Sequence, residues 1–269
     1  MKKNYKGCYM QQKILLSEQF LITCRDLISQ TSNLDIFFSQ RKLMKFVDVN
    51  YENLCKRLSL LEQNNFDIIY WRPILLDAFS KGQVKSKIWL VKELLKIDTL
   101  ENKTVFILGG WIGILPLLLF WHTSVNIIRN IELDEKCIDI SDWLLKEFMI
   151  DNFRYKTIHE DMTKINYSKF NFTTPTYEKT KLINKIEVPD IIINTSCDHL
   201  RNFSNWWDLI PNGKMFAIQN NNFEEINDHT NIVNSLEEFK SQLGKCNKIL
   251  YEGELETDKY NRYMIIGIK

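Results

Sequence analysis

Thr104-Val-Phe-Ile-Leu108 runs into Gly109-Gly110-Trp111-Ile112-Gly113 and on through Ile114-Leu-Pro-Leu-Leu-Leu-Phe-Trp121. A second apolar stretch then ends in acid, at Ile131-Glu132-Leu133-Asp134. This order reads as strand, glycine turn, helix, strand, carboxylate. The carboxylate falls about 20 residues beyond the turn, the spacing of a nucleotide-binding βαβ unit. Glycines let backbone approach a ligand closely, a helix N-terminus offers free N–H donors, and a strand-end acid can accept hydrogen bonds from ribose hydroxyls.

Working outward, alternation continues to the end of the chain. Strands are expected at 104–108, 126–131, 154–158, 189–194, 213–219, 246–254 and 262–268, and helices at 112–122, 135–149, 203–209 and 234–243. That pattern predicts an α/β fold, a Rossmann-like doubly wound sheet covered on both faces. Only Glu256-Thr-Asp-Lys-Tyr-Asn261 separates the last two strands, so they should pair as a C-terminal antiparallel hairpin. Residues 161–188 are polar and irregular and are expected to form a mobile surface loop. Upstream, residues 1–100 read as helical. Ile14, Leu15, Phe20, Leu21, Leu27 and Ile28 recur at helical spacing, as do Tyr51, Leu54, Leu58 and Leu61. Pro73 and Gly82 punctuate the region, and Ser86 is the expected N-cap of a third helix. The expected division is an N-terminal helical cap over 1–100 and a nucleotide-binding domain over 101–269.

Composition is that of a globular chain of 269 residues, 45% hydrophobic and 26% charged, with a net charge of +1. Such a balance gives no global pull toward nucleic acid. Cysteines at 8, 24, 55, 137, 197 and 246 show no CxxC or Cys/His ligand spacing, so no metal is expected. With no signal peptide, free thiols in a reducing, cytoplasmic setting are the expectation. Thr104 to Ile128 carries no Asp, Glu, Lys or Arg and is long enough to span a bilayer. Gly109-Gly110 and Pro116 interrupt it, however, and a buried strand plus a buried helix explains it without a membrane.

Further candidates sit where strands end. Asn194-Thr-Ser-Cys-Asp198-His199 follows the apolar Ile191–Ile193, and doubly wound sheets bind ligands beyond the carboxyl ends of their strands. An Asp198–His199 pair there can take a proton from a nucleophile. His229 is a second candidate base. Against this, Asn194 and Ser196 suit a turn and Asp198 a helix cap. Cys197 reads as a small packed residue. Gln219-Asn220-Asn221-Asn222 is expected as a polar loop able to line a substrate pocket, and Trp206-Trp207 as core packing.

These residues resemble the class I S-adenosylmethionine-dependent methyltransferases over about residues 103–269. Leu108-Gly109-Gly110-Trp111-Ile112-Gly113 resembles the family's glycine motif, and Glu132 stands where the family holds the ribose. Asp161 and Met162, in His159-Glu160-Asp161-Met162, match the segment whose acid receives the adenine amine. Asn194 to His199 matches the strand end beside the transferable methyl. A narrower likeness, to methyltransferase-like proteins of phages and bacteria, rests on the GGW-x-G turn, NTS-x-[DE]-H and Gln-x-Asn-Asn. Two departures stand out. Trp111 replaces the middle glycine, and Ile107 stands where the family usually has an acid. Trp111 either crowds the methionine end of the cofactor or stacks on its sulfonium. In similar enzymes the segment before the first strand folds over the cofactor, which would bring Gln83 or Lys87 to its carboxylate.

The resemblance implies S-adenosylmethionine as cofactor, held by Gly109, Gly110, Trp111, Gly113, Glu132, Asp161, Met162 and Asn194. Asn194, Asp198 and His199 are the expected catalytic residues, and the helical cap would supply specificity. The expected activity is methyl transfer to a small polar molecule. Thr195-Ser196-Cys197 lacks the Asn/Asp-Pro-Pro-aromatic signature of amino-methylating DNA and RNA enzymes. Two rival readings stay open: a cyclase, lyase or aminobutyrate-transferring enzyme releasing methylthioadenosine, and a non-catalytic binding subunit on the same fold.

Overall fold

The computed structural model describes residues 2–269 apart from 32, 33, 177, 226 and 227; of residues 2–8, 36 and 38 the backbone alone is described. Cys8 therefore lies outside the described side chains. The chain divides into two compact units, one of Met1–Lys92 with Leu117–His122, the other of Glu93–Pro116 with Thr123–Lys269.

The first unit is built from helices α1 (Lys2–Gln30), α2 (Val49–Ser59) and α3 (Ile68–Ala78) and most of α4 (Lys81–Ile97). Asp48 and Asp67 cap α2 and α3 by accepting the Asn50 and Ile69 N–H groups. Its core is aromatic: Phe20 stacks on Tyr51 at 4.4 Å, and Trp121 meets Tyr51 edge-on at 5.1 Å. Two expectations are corrected here. Ser86 is no cap but a buried interior residue of α4, which starts five residues earlier, with the Ser80 hydroxyl accepting the Gln83 N–H at 3.4 Å. Pro73 does not interrupt a helix but lies inside α3.

In the second unit the strands are β1 (Thr104–Leu108), β2 (Ile127–Glu132), β3 (Tyr155–His159), β4 (Phe170–Pro175), β5 (Leu182–Glu187), β6 (Ile191–Asn194), β7 (Met215–Asn221), β8 (Lys248–Glu256) and β9 (Asn261–Ile268). Seven form one sheet in the order β3-β2-β1-β6-β7-β9-β8. β3, β2, β1, β6 and β7 run parallel in that sheet, and β9 joins antiparallel to β7 and to β8. The doubly wound sheet and the terminal hairpin are thus as expected. β1, β2 and β6 are buried almost throughout, as a parallel sheet covered on both faces requires. Helices α5 (Ile114–His122), α6 (Lys136–Leu144), α7 (Lys146–Ile150), α8 (Phe203–Leu209) and α9 (Leu236–Ser241) complete the chain.

The helix expected over 135–149 is two helices broken at Leu145, where the chain leaves helical geometry with its N–H returned to Ser141 and Trp143. The loop expected over 161–188 is also corrected: β4 and β5 pair as an antiparallel hairpin. Phe170, Phe172 and Thr174 alternate inward along β4, and the two rings join the core of the sheet unit. The buried Arg129 guanidinium on β2 donates twice to the Glu187 carboxylate, both at 2.7 Å, tying the hairpin to the sheet. Trp206 and Trp207 are core residues. No helix of the described residues is long and apolar enough to cross a membrane. Cys24, Cys55, Cys137, Cys197 and Cys246 are free thiols.

Candidate active site

Parallel β3, β2, β1, β6 and β7 release their carboxyl ends along one edge, and the chemistry-bearing residues collect there. The glycine turn leaves β1 with its shape set by crowding. Gly109 and Gly113 have φ of +60° and +86°, the left-handed region where glycine is at home. A Cβ on Gly110 would lie 2.1 Å from Asn130 Oδ1, so that position admits no side chain as it stands.

Trp111 has φ +52°, unusual for a bulky residue and costly unless its surroundings impose it. Two β2 side chains do so. The Trp111 N–H donates to Glu132 Oε2 at 2.8 Å, and Asn130 Nδ2 donates to the Trp111 carbonyl at 3.2 Å. Glu132 is buried, and its Oε1 accepts the Leu133 and Asp134 N–H groups at 2.9 and 3.0 Å. A carboxylate has about four acceptor sites. Three are filled from the main chain, and one remains on Oε2. Sequence reading singled out Glu132 but not its grip on the turn, nor Asn130.

Three strand ends meet behind Gly109. Ser196 Oγ donates to the Gly109 carbonyl at 3.2 Å, while Asn194 accepts the Ser196 N–H through Oδ1 and donates through Nδ2 to Met162 Sδ at 3.4 Å. Asn194 is fully buried, and both ends of its amide are in use. Asp161 is partly exposed. Against the upward push of partial burial, the Thr163 hydroxyl and N–H and the Lys164 ammonium hold its carboxyl below the usual carboxylate range. Gln83 and Lys87, on α4, bond to each other at 2.5 Å.

A second cluster lies beyond β6 and β7. Contrary to expectation, Gln219, Asn220 and Asn221 are not a loop but the buried end of β7. Asn221 Nδ2 donates to Asp198 Oδ2 at 2.8 Å. The Asp198 carbonyl accepts the Thr230 and Asn231 N–H groups, and this brings His229 alongside. His229 Nε2 lies 2.9 Å and His199 Nε2 3.9 Å from Asp198 Oδ2. Burial pushes the Asp198 carboxyl up, but the His229 bond and the charges of Arg262 and His199 outweigh it and hold the group below its ordinary range.

His229 Nδ1 donates to the Phe223 carbonyl at 2.7 Å, so with Nε2 against a carboxylate both ring nitrogens face acceptors. The bond to Asp198 holds its pKa above the ordinary value, against the downward push of burial. His199 differs: Nδ1 faces the Asp228 carbonyl at 3.1 Å, and its side chain is half exposed, with Nε2 3.9 Å from the Asp198 carboxylate. Cys197 is buried, and burial drives its thiol pKa well up, so it is no nucleophile at neutral pH.

No family model and no curated protein matches this chain. Solved structures do. The magnesium protoporphyrin IX methyltransferase of Synechocystis PCC 6803, solved with bound S-adenosylmethionine, is similar with a TM-score of 0.50 and 12% identity, over 69% of this chain and 78% of that one. The MccD protein is similar with a TM-score of 0.50 and 10% identity, over 67% of this chain and 96% of that one. At such identities the likeness speaks for the fold: the chain has the seven-stranded α/β fold of the class I S-adenosylmethionine-dependent methyltransferases.

Proposed function

We propose that this chain is an S-adenosylmethionine-dependent methyltransferase acting on a small polar molecule. One observation carries the reading: the glycine turn, Glu132, Met162 and Asn194 converge at the carboxyl edge of a sheet with this strand order. The free acceptor site on Glu132 Oε2 fits a ribose hydroxyl, and the backbone of Gly109–Gly113 offers close approach to a methionine end. Asp161 is assigned the adenine side. When bound, the cofactor supplies an electrophilic methyl group on a positively charged sulfur. Glu132 and Asn130 hold Trp111 in place through bonds within the protein, so the turn costs little reorganisation on binding. The acceptor is assigned to the edge beside Asn194, Asp198 and His199, where positioning of a nucleophile is the main task.

The test is incubation of the full chain with S-adenosylmethionine, with and without a mixture of small polar metabolites, followed by mass spectrometry. S-adenosylhomocysteine that forms only with the mixture supports methyl transfer. Methylthioadenosine would overturn it in favour of attack at the aminobutyrate carbon. Absence of cofactor binding would leave a binding subunit on a methyltransferase fold.

A further inference from the structure

The histidines of the second cluster share one feature that the methyl-transfer reading leaves unused. Each fixes its Nδ1 on a main-chain carbonyl, His229 on Phe223 and His199 on Asp228, and so turns Nε2 toward the Asp198 carboxylate. Their rings stand edge to face, 4.8 Å apart at 87°. Metal-ligating histidines behave in this way: the second nitrogen donates to a carbonyl or carboxylate, which sets tautomer and ring orientation. Asp198 is oriented by Asn221 Nδ2, which donates to Oδ2.

We propose that Asp198, His199 and His229 bind a divalent first-row transition-metal ion, their three ligand atoms lying within 4.8 Å of one another. Around zinc, ligands at about 2.0–2.2 Å in tetrahedral array stand about 3.3 Å apart. The Nε2-to-Oδ2 distances of 2.9 and 3.9 Å bracket that value, and His199, being half exposed, has room to turn inward. The second carboxylate oxygen adds a reason for a cation at this carboxylate. Asp198 Oδ1 is buried and has no hydrogen-bond partner among the described residues. A buried acceptor without a donor is costly, and a cation in front of the carboxylate removes that cost.

Two imidazoles and one carboxylate suit zinc, iron, cobalt or manganese; calcium and magnesium prefer all-oxygen sets. Three protein ligands leave coordination positions open to water or a second ligand. Arg262, whose guanidinium donates to the Thr195 carbonyl at 3.2 Å, adds positive charge nearby and opposes the ion, so micromolar rather than picomolar affinity is expected. Cysteine spacing does not reveal this set, because it contains no thiol and His229 lies 30 residues beyond the adjacent Asp198 and His199.

Metal binding here does not depend on which reaction the cofactor serves, and it is measured without cofactor. The full chain, stripped with a chelator and desalted, is titrated with Zn²⁺ by calorimetry and with Co²⁺ by visible absorption. One ion per chain and a cobalt band of low-symmetry coordination are expected, together with a raised melting temperature in Zn²⁺. His199→Gln is the first variant, because a half-exposed side chain leaves folding intact; it should weaken Zn²⁺ binding at least about tenfold. His229→Gln should do the same if circular dichroism shows it folded. His159→Gln, an exposed histidine elsewhere on the edge, should bind as the parent does. No one-to-one binding, or binding undiminished in His199→Gln, would overturn the proposal and leave Asp198–His229 as a structural ion pair.

Discussion

Two residues carry most of what can be tested one side chain at a time. Gly110 has no room for a methyl group, with Asn130 Oδ1 2.1 Å and Ile107 Cγ2 2.9 Å from where it would stand. Gly110→Ala should cost about 1–3 kcal/mol by overpacking. Part of that loss should vanish in an Asn130→Ala background, as read from denaturant midpoints of the four proteins in the cycle. His122 is buried, with Nε2 bonded to Ser17 Oγ at 2.8 Å and Nδ1 without a partner among the described residues. Burial, reinforced by the Lys13 charge against a weaker pull from Asp48, lowers its pKa from 6.5 to about 4. The folded chain thus keeps the ring neutral where the unfolded chain takes up a proton. Stability should be full above pH 6.5 and fall by about 3 kcal/mol as pH drops toward 4. Chemical denaturation at several pH values checks this, and His122→Gln should flatten that limb.

Among the elements, the β4–β5 hairpin is held to the sheet by a buried ion pair as well as by the packing of Phe170 and Phe172. Arg129 is 1% exposed, and its fork rests on Glu187. Removing one partner of a buried pair strands the other, at a cost of about 3–5 kcal/mol. Glu187→Ala should therefore destabilise the chain by that order in urea unfolding, whereas Arg129→Met with Glu187→Leu should cost much less. The hairpin was also the element least legible in the sequence. Asn171, Thr173 and the lysines around it read as loop, and the inward alternation of Phe170, Phe172 and Thr174 is too short to compete with them. The parallel strands were legible because burial on both faces makes them continuous apolar runs, and glycine marks where β1 ends. The start of α4 was misplaced because Ser80 and Ser86 are both good caps, and burial of Ser86 is visible only in three dimensions.

At the scale of the whole molecule, the sequence shows which residues stand at strand ends but not the bonds between them. Strand-end positions follow from topology, so the places of Gly109, Glu132 and Asn194 at the ends of β1, β2 and β6 are legible in the sequence. The groups that Glu132 holds are not, because they are main-chain N–H groups, which carry no residue signature. Nor is the meeting of Asp198 with His229, which depends on a loop folding back onto the Asp198 carbonyl. The central claim is that S-adenosylmethionine binds at the turn which Glu132 holds. Its most direct test is calorimetric titration of S-adenosylmethionine into the parent chain and into Glu132→Ala, with circular dichroism showing both folded. The variant loses an acceptor for the ligand hydroxyl and the anchor of the Trp111 N–H, so affinity should fall at least about tenfold. Equal affinity in a folded Glu132→Ala chain would contradict the account.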